Sequence, residues 1–353
     1  MIESLHIKQF TAFSDASFVF GRGLNVFVGA NGTGKSHLLK LLYALLAVGA
    51  QGQRDSKDDA PSEAYLRGAY ARKLIGVFRP DTLGRLSRRA LGTTRAQVEL
   101  VMRDDALSLS LDFHTQSKGE VSLPRPPTTW LDKAPAFLPT RELLTLYPGF
   151  VPLYETTALP FEETWRDTCL LLGAPLARGP REARIRALIA PLEAALGGSI
   201  VLDAGGRFYL ERAGVSTEVH LVAEGLRKLA MVARLVLTGA LVDKGCLFWD
   251  EPEANLNPRL VRDVAATIVD LARGGIQVFV ATHSLFLLRE LYLRQPALEG
   301  DTMCFGLQAR DEIGVEVKAG PTMDDIGRIA ALDEELQQSD RYLQHEADLA
   351  GSA

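Results

Sequence analysis

Between Gly29 and Ala50 the chain reads GANGTGKSHLLKLLYALLAVGA, and no other stretch limits its fold so sharply. Its opening residues, Gly29, Ala30, Asn31, Gly32, Thr33, Gly34, Lys35 and Ser36, fit G-x-x-x-x-G-K-[ST], the spacing of a P-loop. Glycines let such a loop turn sharply and bring its N–H groups against phosphate oxygens. Lys35 is expected to reach the β- and γ-phosphates, and Ser36 to ligate Mg²⁺. The preceding apolar run LNVFV reads as a buried strand, and HLLKLLYALL has apolar residues at helical spacing. The positive end of that helix faces the same phosphates. Strand, loop and helix in this order imply an α/β chain whose loop binds phosphate, with Mg²⁺ beside it.

A P-loop needs a carboxylate for the metal and a group to activate water. The stretch CLFWDEPEANLNP, Cys246 to Pro258, gives an apolar strand ending in Asp250 and Glu251. Asp250 is placed to hold Mg²⁺, and Glu251 is a candidate general base. Further on, GIQVFVATHS reads as another buried strand ending in Thr282, His283 and Ser284. At the carboxyl end of a parallel strand, His283 would face the ligand crevice and sense the γ-phosphate.

These residues resemble an ABC-type ATPase head of the RecF/SMC/OLD group, within the AAA-family ATP-binding proteins. IESLHIKQFTAFSDASFVFGRGLNVFVGANGTGKSHLLKLL is similar to the group's N-terminal lobe, DEPEANLNP to its Walker B and D-loop, and ATHS to its H-loop. The likeness is strong at the two ends and weak in the middle. It implies a P-loop NTPase fold of ABC-ATPase type: a mixed sheet core, an antiparallel β meander and a helical lobe. It also implies that ATP is closed between two heads, the P-loop of one facing a signature helix of the other. The usual L-S-G-G-Q becomes Val222-Ala223-Glu224-Gly225-Leu226. Ala223 and Gly225 then stand where a signature meets phosphate, with the serine hydroxyl gone. Glu224 adds a negative charge there unless Arg227 or Lys228 offsets it. In place of the Q-loop glutamine stand Thr140, Arg141 and Glu142; Arg141 could touch phosphate and Glu142 the metal's water, or the two could be a surface pair.

The chain is expected to form one composite head. Residues 1–142 give a P-loop lobe with a basic helical insertion and a meander, 143–222 a helical lobe and a hairpin, and 223–353 the signature helix, Walker B, H-loop and a polar C-terminal helix. A polar loop is expected over residues 51–62, and helix from there to about Thr94. Within LRGAYARKLIGVFRPDTLGRLSRRALGTTR, Arg67, Arg72, Lys73, Arg79, Arg85, Arg88, Arg89 and Arg95 are opposed by Asp81 alone, with Tyr70 and Phe78 interleaved. That segment is either a surface for DNA or an acidic partner, or a solvated face. ARGPREARIRAL is a shorter basic run. The net charge of −5 argues against a general nucleic-acid coat but not against a local patch.

The chain has no apolar run long enough for a bilayer, no secretory leader pattern and Cys169, Cys246 and Cys304 far apart, which reads as cytoplasmic, without disulfides or a zinc site. No heptads are sustained, so the long coiled coil of SMC proteins is not expected, and the segment past ATHS is too short for the Toprim nuclease of OLD proteins. The favoured function is an ATP-hydrolysing switch, a homodimer that controls a partner effector, such as a bacterial defence or toxin-linked module. The alternative is a RecF-like DNA-binding ATPase of DNA repair; a binding module with a decayed ATPase is a third reading.

Overall fold

The computed structural model describes every residue except 56–58, 90–91, 178–181, 243, 299, 311–313, 329 and 352–353. The N-terminal part gives β1 (Ile2–Phe10), β2 (Phe13–Val19), β3 (Leu24–Gly29), α1 (Lys35–Asp55), α2 (Glu63–Phe78), β4 (Arg95–Met102), β5 (Leu109–His114), β6 (Ser122–Arg125) and β7 (Ala136–Leu138). The middle gives α3 (Tyr147–Thr156), α4 (Glu163–Leu172), α5 (Glu182–Leu196), β8 (Ser199–Leu202), β9 (Phe208–Arg212) and β10 (Val215–Glu218). The last part gives α6 (Glu224–Leu237), β11 (Cys246–Asp250), α7 (Pro258–Arg273), β12 (Gln277–Thr282), α8 (Leu285–Arg294), β13 (Thr302–Arg310), β14 (Gly314–Gly320) and α9 (Ala330–Gly351).

Strands from both ends of the chain make one six-stranded sheet in the order β14-β13-β3-β12-β11-β7. Its strands from β13 to β7 run parallel, and β14 closes the edge antiparallel. The central strands β3, β11 and β12 are buried at every position because both faces are covered. Val26, Val28, Leu247, Trp249, Val278 and Val280 point into a core shared with α4 to α8. Phe27, Phe248, Phe279, Ala281 and Phe305 alternate to the other side and meet α1, α2 and the second sheet. There Phe18, Phe20, Phe27, Phe279 and Phe305 stack and interlock at centroid distances of 5.0–6.4 Å. Each fully buried phenylalanine contributes about 1.5–3 kcal/mol by leaving water.

The second sheet is the antiparallel meander, β2-β1-β4-β5-β6. Buried Gln277 ties it to the first: its amide accepts from Ile2 N at 2.8 Å and donates to Ile2 O at 2.8 Å and Gly21 O at 2.9 Å. The expected hairpin appears as β8 and β9 around Gly205 and Gly206, extended by β10.

Two boundaries differ from expectation. The P-loop helix runs on through residues 51–55, because Gln51 and Arg54 continue a helix as readily as they begin a loop. The basic segment is α-helical only to Phe78, with one further 3-10 turn at Leu83–Leu86: Arg79 takes a left-handed φ of 56°, its N–H closes on Ile75 O, and Pro80 follows. The shorter basic run lies partly outside the described residues; its remainder opens α5. Among the described residues no helix is long and apolar enough to cross a membrane.

Candidate nucleotide site

Strand register brings the expected site residues to one edge. Asp250 lies beside Ala281 and Ala281 beside Phe27, so the loops after β3, β11 and β12 leave the sheet at one level. The turn after β7, with Arg141 and Glu142, leaves one residue lower, at Leu138 beside Trp249. In an open parallel sheet this carboxyl edge is where ligands bind.

The loop after β3 needs its glycines. Gly32 and Gly34 have φ of +83° and +87°, and a Cβ on Gly34 would come within 2.8 Å of the Phe13 ring. A Cβ on Gly29 would meet Leu307 O at 2.6 Å. Thr33 Oγ1 donates to Ala30 O at 2.9 Å and braces the loop. Lys35 Nζ donates to Gly29 O at 2.7 Å and Ala30 O at 3.0 Å, so its ammonium sits in the mouth of the loop. Burial pulls the Lys35 pKa down, while Glu251, Asp250 and Glu253 resist the change.

Ser36 Oγ donates to Asp250 Oδ1 at 3.0 Å, across more than two hundred residues of chain. Burial pushes the Asp250 carboxyl up to about 6, against the Ser36 hydrogen bond. A hydroxyl and a buried carboxylate in contact beside a phosphate-shaped loop are the hard oxygen set that suits Mg²⁺, which keeps waters and takes its remaining ligands from phosphates.

Glu251 stands at a left-handed φ of 45°, held by its N–H on Ala281 O at 2.9 Å. Its Oε1 lies 3.1 Å from His283 Nδ1, which brings the expected base and sensor together. Beneath them Thr282 Oγ1 donates to Glu253 Oε1 at 2.5 Å, while Glu253 Oε2 is buried without a hydrogen-bond partner among the described residues.

The signature segment starts α6. Ala223 is the N-cap and makes no side-chain cap bond. Gly225 lies against the loop after β11, where a Cβ would meet Asn255 O at 2.7 Å. Neither Arg227 nor Lys228 makes an ion pair with Glu224 among the described residues, although Lys228 lies close enough for the two charges to attract. Arg227 Nε donates to Glu142 Oε1 at 2.9 Å, and Lys228 Nζ donates to Glu251 O at 2.7 Å and Ala254 O at 3.2 Å. Glu224 instead accepts from Asn255 Nδ2 at 2.9 Å. Glu142 is neither free toward a metal nor paired with Arg141: beyond Arg227 it accepts from Leu144 N at 2.9 Å and Thr145 Oγ1 at 2.8 Å. Arg141 is exposed.

Sequence reasoning did not foresee the bonds of Lys228 to the loop after β11, nor any part for Asn255 and Glu253. Only Lys228 left a signal, a lysine inside the apolar stretch LRKLAMVARLVL. Burial pulls its pKa down to about 8, resisted by Glu253, Glu251, Asp250 and Glu224.

The basic segment is partly tied into the fold. Arg67 pairs with Glu63, Arg95 with Asp112, and Arg79 and Arg88 donate to Leu159 O and Ala12 O. Lys73 is buried between Glu163 and Asp167, and Tyr70 is buried too. Arg72, Arg85 and Arg89 are exposed, and Arg67, Arg79 and Arg95 stay exposed despite their bonds.

This fold, with its P-loop at the carboxyl edge between two parallel strands, defines an ABC-type ATPase head of the RecF/SMC group. Residues 98–289 match the family model described as "AAA domain, putative AbiEii toxin, Type IV TA system", and the chain belongs to that family. Residues 4–122 match a second model, "AAA domain". Among curated proteins it is similar to the DNA replication and repair protein RecF of Streptococcus gordonii, 37% identical over 57 residues, 16% of each chain. It is also similar to RecF of Shouchella clausii, 33% identical over 85 residues, 24% of this chain and 23% of that one. The matches thus span less than a quarter of these relatives' length. Among solved structures it resembles an SMC head bound to the C-winged helix domain of ScpA, with TM-score 0.54 and 15% identity over 90% of this chain and 97% of that one. It also resembles a Pyrococcus furiosus SMC head with an extended coiled coil bound to the C-terminal domain of ScpA, with TM-score 0.51 and 12% identity over 97% and 99%. At these identities the likeness is one of fold.

Proposed function

We propose that the protein is a cytoplasmic, Mg²⁺-dependent ATP-hydrolysing switch. Residues 1–142, 143–222 and 223–353 act as one head, and two heads close on ATP to control an effector protein. The observation that carries this reading is the 3.0 Å contact between Ser36 and Asp250, which joins the P-loop helix to the β11 strand end. Residues Gly29 to Gly34 cradle phosphate with backbone N–H groups, and Lys35 leaves its carbonyl partners for the β- and γ-phosphates. Ser36 and Asp250 would hold Mg²⁺, which would offset phosphate charge when bound. Glu251 takes the proton of the attacking water as its oxygen bonds to the γ-phosphorus and ADP departs. His283, 3.1 Å from Glu251, senses the γ-phosphate. Ala223 to Gly225 of each head cap the phosphate held by the other.

The toxin-linked family description and the SMC heads solved with ScpA favour control of a protein effector. The similarity to RecF favours a second reading, a DNA-binding ATPase, for which the exposed cations of the basic segment are Arg67, Arg72, Arg79, Arg85, Arg89 and Arg95. Hydrolysis measured with and without duplex DNA, alongside sedimentation with and without ATP, separates the two. Turnover and closure without DNA support the switch; turnover only with DNA supports the alternative; no hydrolysis in either condition overturns the ATPase reading.

A further inference from the structure

The start of α6 lacks the side chain that ordinarily fixes a helix start. Ala223 at the N-cap offers no oxygen to the first-turn N–H groups. The turn is instead gripped from one residue inside the helix. Arg227 Nη1 donates to Val222 O at 2.9 Å while its Nε donates to Glu142 Oε1 at 2.9 Å. Val222 is the residue just before the N-cap, so its carbonyl sets the direction in which the chain enters the helix.

Glu142 is a rigid anchor. Its side chain is 5% exposed, and it also receives Leu144 N at 2.9 Å, Thr145 N at 3.3 Å and Thr145 Oγ1 at 2.8 Å. It belongs to the turn after β7, at the crevice edge. One planar guanidinium reaches the anchor and the Val222 carbonyl together because its N–H groups form a fork; a lysine ammonium is a single point. On its other side the helix start rests on the loop after β11, through Gly225 against Asn255 O and Glu224 on Asn255 Nδ2. Those contacts do not hold Val222.

We propose that Arg227, anchored by Glu142, is the positioning residue of the signature turn, aiming the N–H groups of Ala223 to Leu226 at a phosphate carried by a second copy of this chain. The inference rests on the paired-head reading above. It assigns the pair to closure and not to nucleotide capture, because neither residue contacts the loop Gly29–Ser36.

The test uses the full chain with Glu251→Gln, so that bound ATP persists, and compares it with Arg227→Lys, Glu142→Gln and the combination in the same background. Arg227→Lys keeps the charge, and Glu142→Gln keeps an oxygen for Leu144 and Thr145, so both are expected to fold. ATP affinity is titrated at dilute protein, and closure is followed by sedimentation. Each single variant should hold ATP within about twofold of the parent yet close at least about tenfold more weakly, as the loss of one charge-assisted hydrogen bond implies. The combination should be no weaker than either single change, since both act through one contact. Amide exchange at Val222 to Leu226 should quicken in all three while α7 is unchanged. Variants that close as tightly as the parent overturn the role of the pair alone. Losses of ATP affinity in parallel with closure also overturn it, as they mark a general defect. A parent that binds ATP but never closes overturns the paired-head reading together with this role.

Discussion

Glu251 occupies a backbone conformation that costs a non-glycine residue about 1–2 kcal/mol. The fold sustains it with its own N–H on Ala281 O and with Lys228 Nζ on its carbonyl at 2.7 Å. Such strain sits where a side chain must point one way, here at His283. Glu251→Gln keeps the shape and removes the base, so ATP should still bind while turnover falls about 100- to 10,000-fold; undiminished turnover shows that another group takes the proton. Lys35→Ala removes a charge-assisted phosphate contact worth about 1.5–3 kcal/mol, so titration should show roughly 10- to 150-fold weaker ATP binding. Nucleotide affinity equal to wild type would overturn the P-loop reading.

Elements explain what sequence could and could not reveal. The P-loop, Asp250, Glu251 and His283 were legible because each follows an apolar strand, and parallel strands with covered faces bring their carboxyl ends to one edge whatever else the chain does. The basic segment was legible as composition, but its bonding was not. Its partners come from elsewhere: Glu163 and Asp167 for Lys73 lie 90 and 94 residues on. The bonds of Lys228 were hidden for a related reason, since its acceptors are backbone carbonyls 23 and 26 residues away that carry no residue-type signal. The Lys73 cluster ties α1, α2 and α4 together, with Tyr43 donating to Asp167 Oδ2 at 2.6 Å and Arg166 to Oδ1 at 3.0 Å. Burial opposes both charges, yet mutual attraction outweighs it: Asp167 and Glu163 hold Lys73 above its ordinary value, and Lys73 holds Asp167 below its own. A depressed carboxyl stabilises the fold above its unfolded pKa of about 3.9 and loses that contribution as pH falls through the folded value; a raised lysine stabilises below about 10.4 and loses it as pH rises through the folded value. The cluster therefore contributes fully between about pH 5 and 9. Lys73→Met strands a buried carboxylate and should cost about 3–5 kcal/mol in urea unfolding at pH 7. The deficit should shrink below pH 4 as Asp167 is protonated; a deficit constant from pH 3 to pH 7 would show that lost packing, not lost charge, sets it.

At the scale of the whole molecule, a site built at one edge of one sheet leaves the phosphate covered on one side only. On the paired-head reading proposed above, the P-loop and Asp250 cover that side, and the signature turn of a second head is the physical complement. Ala223 and Glu224 are exposed, while Gly225 is packed on Asn255 O. Hence a bulky change at Gly225 would displace the loop after β11 before it met any partner. Ala223 is the position that reports closure without disturbing the head. Ala223→Ser should supply both a helix N-cap and a hydroxyl for the opposite phosphate. One hydrogen bond is worth about 0.5–1.5 kcal/mol, so two symmetric sites gain about 1–3 kcal/mol. That corresponds to roughly 5- to 150-fold tighter closure on ATP. Ala223→Glu should oppose closure by setting a second carboxylate beside Glu224 against phosphate, while leaving ATP binding by the P-loop in place. Sedimentation of both changes in the Glu251→Gln background, across a range of protein and ATP concentrations, is the measurement. A dimer that forms without ATP, or one indifferent to both substitutions, would place the interface away from the signature turn.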